Sequence, residues 1–416
     1  MALQSTSGQS NSAPSPFRAM RVGPMILRNR FIKSATNEGM ARGGVPSKML
    51  AKWHEAFAKG GVGMTTVAYC AVSPDGRTFV DQVSMNQQSL PDLRALTEGV
   101  HRHGAAVSAQ ITHGGAFTFL PELTTGRPMS SSGGFNAVGA LSGRFLRRGM
   151  TEADMEQVAG EFAAAARLAR EAGFDAVEIH MGHGYLLSQF LSPMYNRRRD
   201  QYGGGPENRA RFPAMVLGRV LEAVGRDLAV VCKICVTEGA KNGATADDAA
   251  IVARVLEAAG AHLLVLSGGM NVESPWVMFG SPLPKAAVEG AQSRVMKLAM
   301  RVLKAKEPRT EFHEMYFLEH SRKVRAAVTM PLAYLGGVET LANVEQAMAD
   351  GFDCVAMGRA LIRDPALVNH FQAGLADKAG CNRCNQCVSM MYTPGGTSCV
   401  LDQPNDAALN AMPAAA

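Results

Sequence analysis

Residues 174–212 read FDAVEIHMGHGYLLSQFLSPMYNRRRDQYGGGPENRARF. Residues 176–179 form a short apolar run, which predicts a buried strand. Residues 152–172, just before it, repeat apolar side chains at three- and four-residue spacing. That period predicts an amphipathic helix. The same pairing recurs along the chain. Further strands are predicted at 30–35, 62–68, 105–111, 229–235, 262–266, 332–335 and 354–357. Alanine-rich helical stretches separate them, 246–259 among them. Strands alternating with helices imply a parallel sheet, and eight such units imply the α/β class and a closed (β/α)8 TIM barrel. An open doubly wound sheet is the alternative. No G-x-G-x-x-G follows the first strand, which weighs against a dinucleotide-binding sheet.

The 416 residues are 47% apolar and 19% charged. This composition excludes a wholly disordered, collagen-like or coiled-coil chain. The N-terminal stretch 1–16 has neither a basic start nor an apolar run. It reads as a disordered arm rather than a signal peptide, and the protein is expected in the cytoplasm. No uncharged apolar run is long enough to span a bilayer. The net charge is +6, from 42 basic and 36 acidic residues. The bases are dispersed, so neither nucleic acid nor membrane is an expected partner. The barrel is assigned to 17–372 and a cysteine-rich tail to 373–416. Two connections, 114–150 and 270–310, exceed plain turns and are expected to be lids or binding loops at the barrel's C-terminal face.

The strand at 176–179 runs into His180, His183 and Tyr185. Side chains at the C-terminal end of a strand can converge on one small ligand. Two imidazoles can donate to one developing oxyanion, and a tyrosine hydroxyl can give up a proton. A metal pair, or rings satisfied by the fold, remain alternatives. His-x-x-His lacks the i, i+4 spacing of zinc proteases. Lys233 lies inside the apolar run AVVCKICV, where a lone cation is expensive to bury. It needs a partner, or it faces the barrel mouth. Gly336-Gly337 and Gly358-Arg359 follow the seventh and eighth strands, where barrels often bind phosphate. Ser267-Gly268-Gly269 follows the sixth.

This pattern closely resembles the Old Yellow Enzyme family, the flavin-dependent NADH:flavin oxidoreductases. The match runs from about residue 27 to 365. The resemblance implies a barrel that binds FMN at the C-terminal ends of its strands, with NAD(P)H as reductant and a small-molecule substrate. It implies that His180 and His183 hold the substrate's activating oxygen and that Tyr185 is the proton donor. The segment 29–38 resembles the family's first strand, whose end, at Ala35 and Asn37, touches the flavin. Asn37 stands where the family has Thr or Cys, and a turn asparagine is the other reading of it. Gln110 matches the glutamine that bonds the flavin pyrimidine, offering both a donor and an acceptor. Lys233 matches the basic residue beside flavin N1 and O2. Gly336, Gly337, Gly358 and Arg359 match the phosphate site.

Four of the eight cysteines lie in apolar runs, at Cys70, Cys232, Cys235 and Cys354, and read as buried thiols. The other four, Cys381, Cys384, Cys387 and Cys399, have the spacing Cys-x2-Cys-x2-Cys-x11-Cys. That spacing suits a [4Fe–4S] cluster; zinc or an empty remnant motif are the alternatives. The pattern resembles the cluster site of dienoyl-CoA reductase and trimethylamine dehydrogenase, larger relatives with further flavin- and dinucleotide-binding domains.

The leading expectation is an FMN oxidoreductase that reduces activated alkenes of enone or enoyl type. Amine oxidation of the trimethylamine dehydrogenase type is one alternative. That enzyme has an aromatic residue at the first histidine position, so His180 favours alkene reduction. A non-enzymatic flavin and iron–sulfur electron-transfer subunit is the other. The tail favours an external electron-transfer partner, and a homo-oligomer is compatible with the chain.

Overall fold

The computed structural model describes residues 14–282, 284, 297–298, 301, 304–305 and 307–402. Eight parallel strands close into a barrel: β1 (Phe31–Lys33), β2 (Met64–Ala71), β3 (Ala106–Thr112), β4 (Ala176–His180), β5 (Ala229–Cys235), β6 (Leu263–Ser267), β7 (Leu332–Leu335) and β8 (Cys354–Met357). They follow chain order around the barrel, with β8 paired to β1. All eight expected strands are present. β2 runs on past its expected end to Ala71, through a register shift between Val67 and Cys70.

The helices that return the chain carry explicit stop and start chemistry. Thr151 and Asp154 form a reciprocal capping box for the helix Glu152–Glu171. Thr245 with Asp248 and Thr340 with Asn343 do the same for Ala246–Ala258 and Leu341–Ala349. Each box satisfies backbone donors that a helix leaves open at its first turn. The helices bury one face against the outside of the barrel.

Alternation along each strand sends every second side chain inward. The inner layers hold Ile32, Met64, Ala176, Ala229, Val231, Leu263, Val265, Ala333, Cys354 and Ala356. A short hairpin, Met20–Val22 with Met25–Leu27, packs Val22, Met25 and Leu27 onto this cluster. The same alternation carries Ser34, Gln110, Glu178, His180, Lys233, Cys235 and Ser267 to the inward face near the C-terminal ends of their strands.

The loop after β3 folds into a small sheet of Met129–Ser130, Gly134–Phe135 and Leu146–Gly149. The loop after β6 includes the helix Pro275–Phe279. Much of the expected lid 270–310 lies outside the described residues, as do residues 1–13 of the expected arm and 403–416 of the tail. Pro16 is already tied to the barrel, its carbonyl accepting the Arg30 N–H at 2.9 Å. Beyond the helix Leu367–Gln372 the tail returns over the barrel's C-terminal face, anchored by the Arg383–Glu339 ion pair at 2.6 Å. No helix among the described residues is long and apolar enough to cross a membrane.

Candidate active site

Charge at the bottom of the site is set by three inward side chains. Lys233 Nζ pairs with Glu178 Oε1 at 2.9 Å, and both side chains are almost fully buried. Gln110 Nε2 donates to the same Glu178 oxygen at 2.6 Å. Lys233 also reaches Ser34 Oγ at 3.4 Å. Register explains the convergence, because Glu178 lies opposite Gln110 on β3 and His180 lies opposite Lys233 on β5. The lone lysine of the sequence thus has both a partner and an inward direction. Glu178 was not among the residues expected here. Its signal was available: a carboxylate inside an apolar strand, AVEIH, must find a cation.

Above this layer stand the histidines. His180 Nδ1 accepts the Gly182 N–H at 3.2 Å. That assigns its proton to Nε2, which lies 3.2 Å from His183 Nδ1. His183 Nε2 in turn stands 2.8 Å from Ser267 Oγ. The chain of bonds selects one neutral tautomer for each ring. Burial first, then His183 and Lys233, holds His180 well below the usual imidazole range. Burial and Lys233 pull His183 down to about 3. Both rings are therefore neutral donors at physiological pH, and among the described residues no set of three or more His, Cys, Asp or Glu is grouped to hold a metal ion.

His183 adopts φ +60°, a left-handed conformation that costs about 1–2 kcal/mol for a residue with a side chain. Four contacts hold it there. Its N–H donates to Cys235 Sγ at 3.3 Å, its carbonyl accepts the Asn271 N–H at 3.2 Å, and its ring is fixed by His180 and Ser267. Cys235 was expected as a buried thiol. It is instead half-buried, and its thiol donates to the Gly269 carbonyl at 3.3 Å. Cys70, Cys232 and Cys354 are buried as expected.

Tyr185 closes the site. Its ring lies 4.6 Å from that of His180, 5.1 Å from Tyr69 and 5.6 Å from Phe117 of the loop after β3. Ala35 packs against this aromatic group. Burial pushes the Tyr185 hydroxyl up to about 12, so it keeps its proton. The Tyr69 hydroxyl bonds Thr78 Oγ1 at 2.6 Å.

Asn37 lies in the loop after β1. Its Oδ1 accepts the Gly39 N–H at 3.2 Å, which is the turn role, and its Nδ2 is left as a donor. Gly336 and Gly337 have φ +133° and +70°. A Cβ on Gly336 would stand 2.7 Å from the Phe317 ring, so packing also demands glycine there. Arg359 opens the helix Arg359–Arg363 after Gly358. Its guanidinium donates to Phe279 O at 2.7 Å, Ser281 Oγ at 3.0 Å and Asn385 Oδ1 at 2.5 Å. It therefore links the loop after β6 to the tail.

Cys381, Cys384, Cys387 and Cys399 line one small pocket, with Arg359 and Asn385 in its wall. Burial raises the Cys387 thiol to about 11.

With this geometry in place, residues 16–276 match the model of the NADH:flavin oxidoreductase / NADH oxidase family. The chain belongs to that family. It is 41% identical over 393 residues to the 4,4'-dithiodibutanoate disulfide reductase of Rhodococcus erythropolis, covering 93% of this chain and 95% of that one. It is 28% identical over 364 residues to the multifunctional alkene reductase/demethylase OYE of Caballeronia cordobensis. That match covers 85% of this chain and 48% of the relative, so this chain spans about half of that longer protein. Among solved structures, 2-naphthoyl-CoA reductase superposes with a TM-score of 0.71 at 24% identity, over 86% of this chain and 52% of that one. The protein is a flavin oxidoreductase of this family, and the family implies FMN and NAD(P)H. A buried lysine and a buried amide at the strand ends, Lys233 and Gln110, are a donor set that fits a flavin.

Two predictions follow from the buried charges. Lys233→Met leaves the buried Glu178 carboxyl without its cation, which should cost about 3–5 kcal/mol of stability. Lys233→Met/Glu178→Gln should recover most of that loss in urea denaturation. The second concerns pH. His183 and His113, held at about 3 and about 4 against a usual 6.5, are neutral in the folded protein where the unfolded chain binds protons. Their contribution is complete above pH 6.5 and is lost as pH falls toward those values, at about 1.4 kcal/mol per ring per pH unit. The thermal midpoint should drop between pH 6.5 and 4, and His183→Gln should make the slope shallower.

Proposed function

We propose that the protein catalyses NAD(P)H-driven reduction of activated alkenes through FMN. The observation that carries this reading is a protonated tyrosine, Tyr185, packed against neutral His180, which is bonded to neutral His183, at the mouth of the barrel. The chemistry FMN supplies when bound is transfer of a hydride equivalent from NAD(P)H to the acceptor.

The chain's own residues do the rest. Lys233 and Gln110 would face the pyrimidine edge, the lysine favouring negative charge there and the amide offering a donor and an acceptor. Asn37 Nδ2 would donate to the flavin from the loop after β1. Gly336, Gly337, Gly358 and Arg359 would hold the phosphate, for which Arg359 has to exchange some of its bonds to the tail. His180 would turn its N–H from His183, and His183 its N–H from Ser267, toward the activating oxygen as it gains charge. Each neutral ring carries one N–H for this purpose. Tyr185 would protonate the neighbouring carbon. Phe117 and Tyr69 would exclude water.

The tail is read as the holder of a [4Fe–4S] cluster, with Cys381, Cys384, Cys387 and Cys399 as ligands. The spacing Cys-x2-Cys-x2-Cys-x11-Cys and the placing of all four thiols on one pocket support this reading, although the described thiols are not grouped as a metal site. The cluster would pass electrons to or from an external partner.

A second reading is reduction of a disulfide, favoured by the 41% identical relative of matching length. Here a departing thiolate replaces the developing enolate. The same histidines would bind that anion, and Tyr185 could protonate it.

Tyr185→Phe separates the readings. Stopped-flow measurement should show NAD(P)H oxidation largely intact and reoxidation by an enone slowed by about two to four orders of magnitude. Disulfide reduction should be nearly spared, because a thiolate can leave without a proton. Equal slowing of both half-reactions would make Tyr185 a packing residue. No slowing of either would assign the proton to another group.

A further inference from the structure

We infer that the cysteine-rich tail positions the flavin-facing loop after β1, and that Thr397 is the positioning residue. The inference rests on the reading of Asn37 as a flavin contact.

Thr397 is buried and grips two consecutive peptide groups of that loop. Its hydroxyl donates to the Asn37 carbonyl at 2.8 Å, and its N–H donates to the Glu38 carbonyl at 2.7 Å. Fixing both carbonyls fixes the peptide planes on either side of Glu38. The Asn37 side chain then folds back on the Gly39 N–H and leaves Nδ2 as its free donor. The loop is held equally firmly from below. Glu38 forms a buried ion pair with Lys33, and Thr36 Oγ1 donates to the same carboxylate at 2.7 Å. Residues 36–39 are thus pinned between an ion pair under the loop and the tail above it.

The contact allows no slack. A Cβ on Gly39 would stand 2.0 Å from the Met391 carbonyl oxygen. Gly396, at φ +67°, lies so close that a Cβ would stand 2.4 Å from Met40 Cγ. Only glycine permits the approach on either side.

The tail's other grip is Asn385. Its Oδ1 accepts from Arg359, and its Nδ2 donates to Ser281 Oγ at 2.9 Å and to the Pro282 carbonyl at 2.8 Å. The two grips, Asn385 and Thr397, lie among the four cysteines that line the common cavity. Whatever orders those thiols therefore also orders the loops after β1, β6 and β8. A preformed loop binds its ligand with less loss of conformational freedom. The tail is accordingly a clamp on the flavin-binding loops.

Thr397→Val tests this, because it keeps the side-chain shape and removes only the hydroxyl. The full chain is stripped of FMN, and FMN binding is titrated by fluorescence quenching. The dissociation constant should rise about tenfold, the worth of one buried hydrogen bond. Thr397→Ser should restore it. Asn37→Ala should weaken FMN on its own, and Asn37→Ala/Thr397→Val should be no weaker than Asn37→Ala. A residue acting only on overall stability would not show this non-additivity. Unchanged affinity in Thr397→Val, with a clear effect of Asn37→Ala, overturns the positioning role and leaves the flavin reading standing. Additive effects also overturn it, since Thr397 would then act independently of Asn37. No effect of Asn37→Ala overturns both the inference and the assignment of Asn37.

Discussion

The buried ion pair between Lys233 and Glu178 is the constraint on which the rest of the site depends. A cation inside a barrel costs several kcal/mol unless a carboxylate and further hydrogen bonds compensate it. Glu178 supplies the carboxylate from the adjacent strand, and Gln110 and Ser34 complete the shell. The register of β3, β4 and β5 is what brings these groups together. The pair places a positive charge under the histidines, where it opposes their protonation. Burial is the larger cause of their neutrality, and the ion pair adds to it.

The second layer trades stability for geometry. His183 sits in a left-handed conformation that its side chain disfavours, and a thiol, an amide and two ring bonds hold it there. Backbone strain that its surroundings over-determine is common where a side chain must be aimed. The result is a contiguous group, Ser267, His183, His180 and Tyr185, contributed by β6, by the end of β4 and by the turn after it. Neutral rings and a protonated phenol make this group a supplier of hydrogen bonds and of a proton.

The tail adds a third layer that the barrel alone lacks. It contacts the loops after β1, β6 and β8 and brings four thiols to one cavity. Arg359 belongs to both layers, since it lies at the expected phosphate position and bonds the tail.

The sequence by itself determined the barrel. Apolar strand runs and helical periodicity are local signals, and all eight strands were legible from them. The grouping of His180, His183 and Tyr185 was legible too, because six residues of chain cannot carry them far apart. Lys233 announced its need for a partner through the cost of burying a charge. Only the tertiary structure named Glu178 as that partner, because pairing across strands depends on register, which no single strand encodes. The role of Cys235 was hidden for a related reason: its thiol meets His183 only when β5 stands beside β4. The tail's hold on Asn37 was furthest from view. Asn37 and Thr397 are separated by 360 positions, and no local pattern in either segment points to the other. Closure of the barrel and the return of the tail over its mouth bring them together, and the two glycines that permit the contact look, in sequence, like ordinary turns.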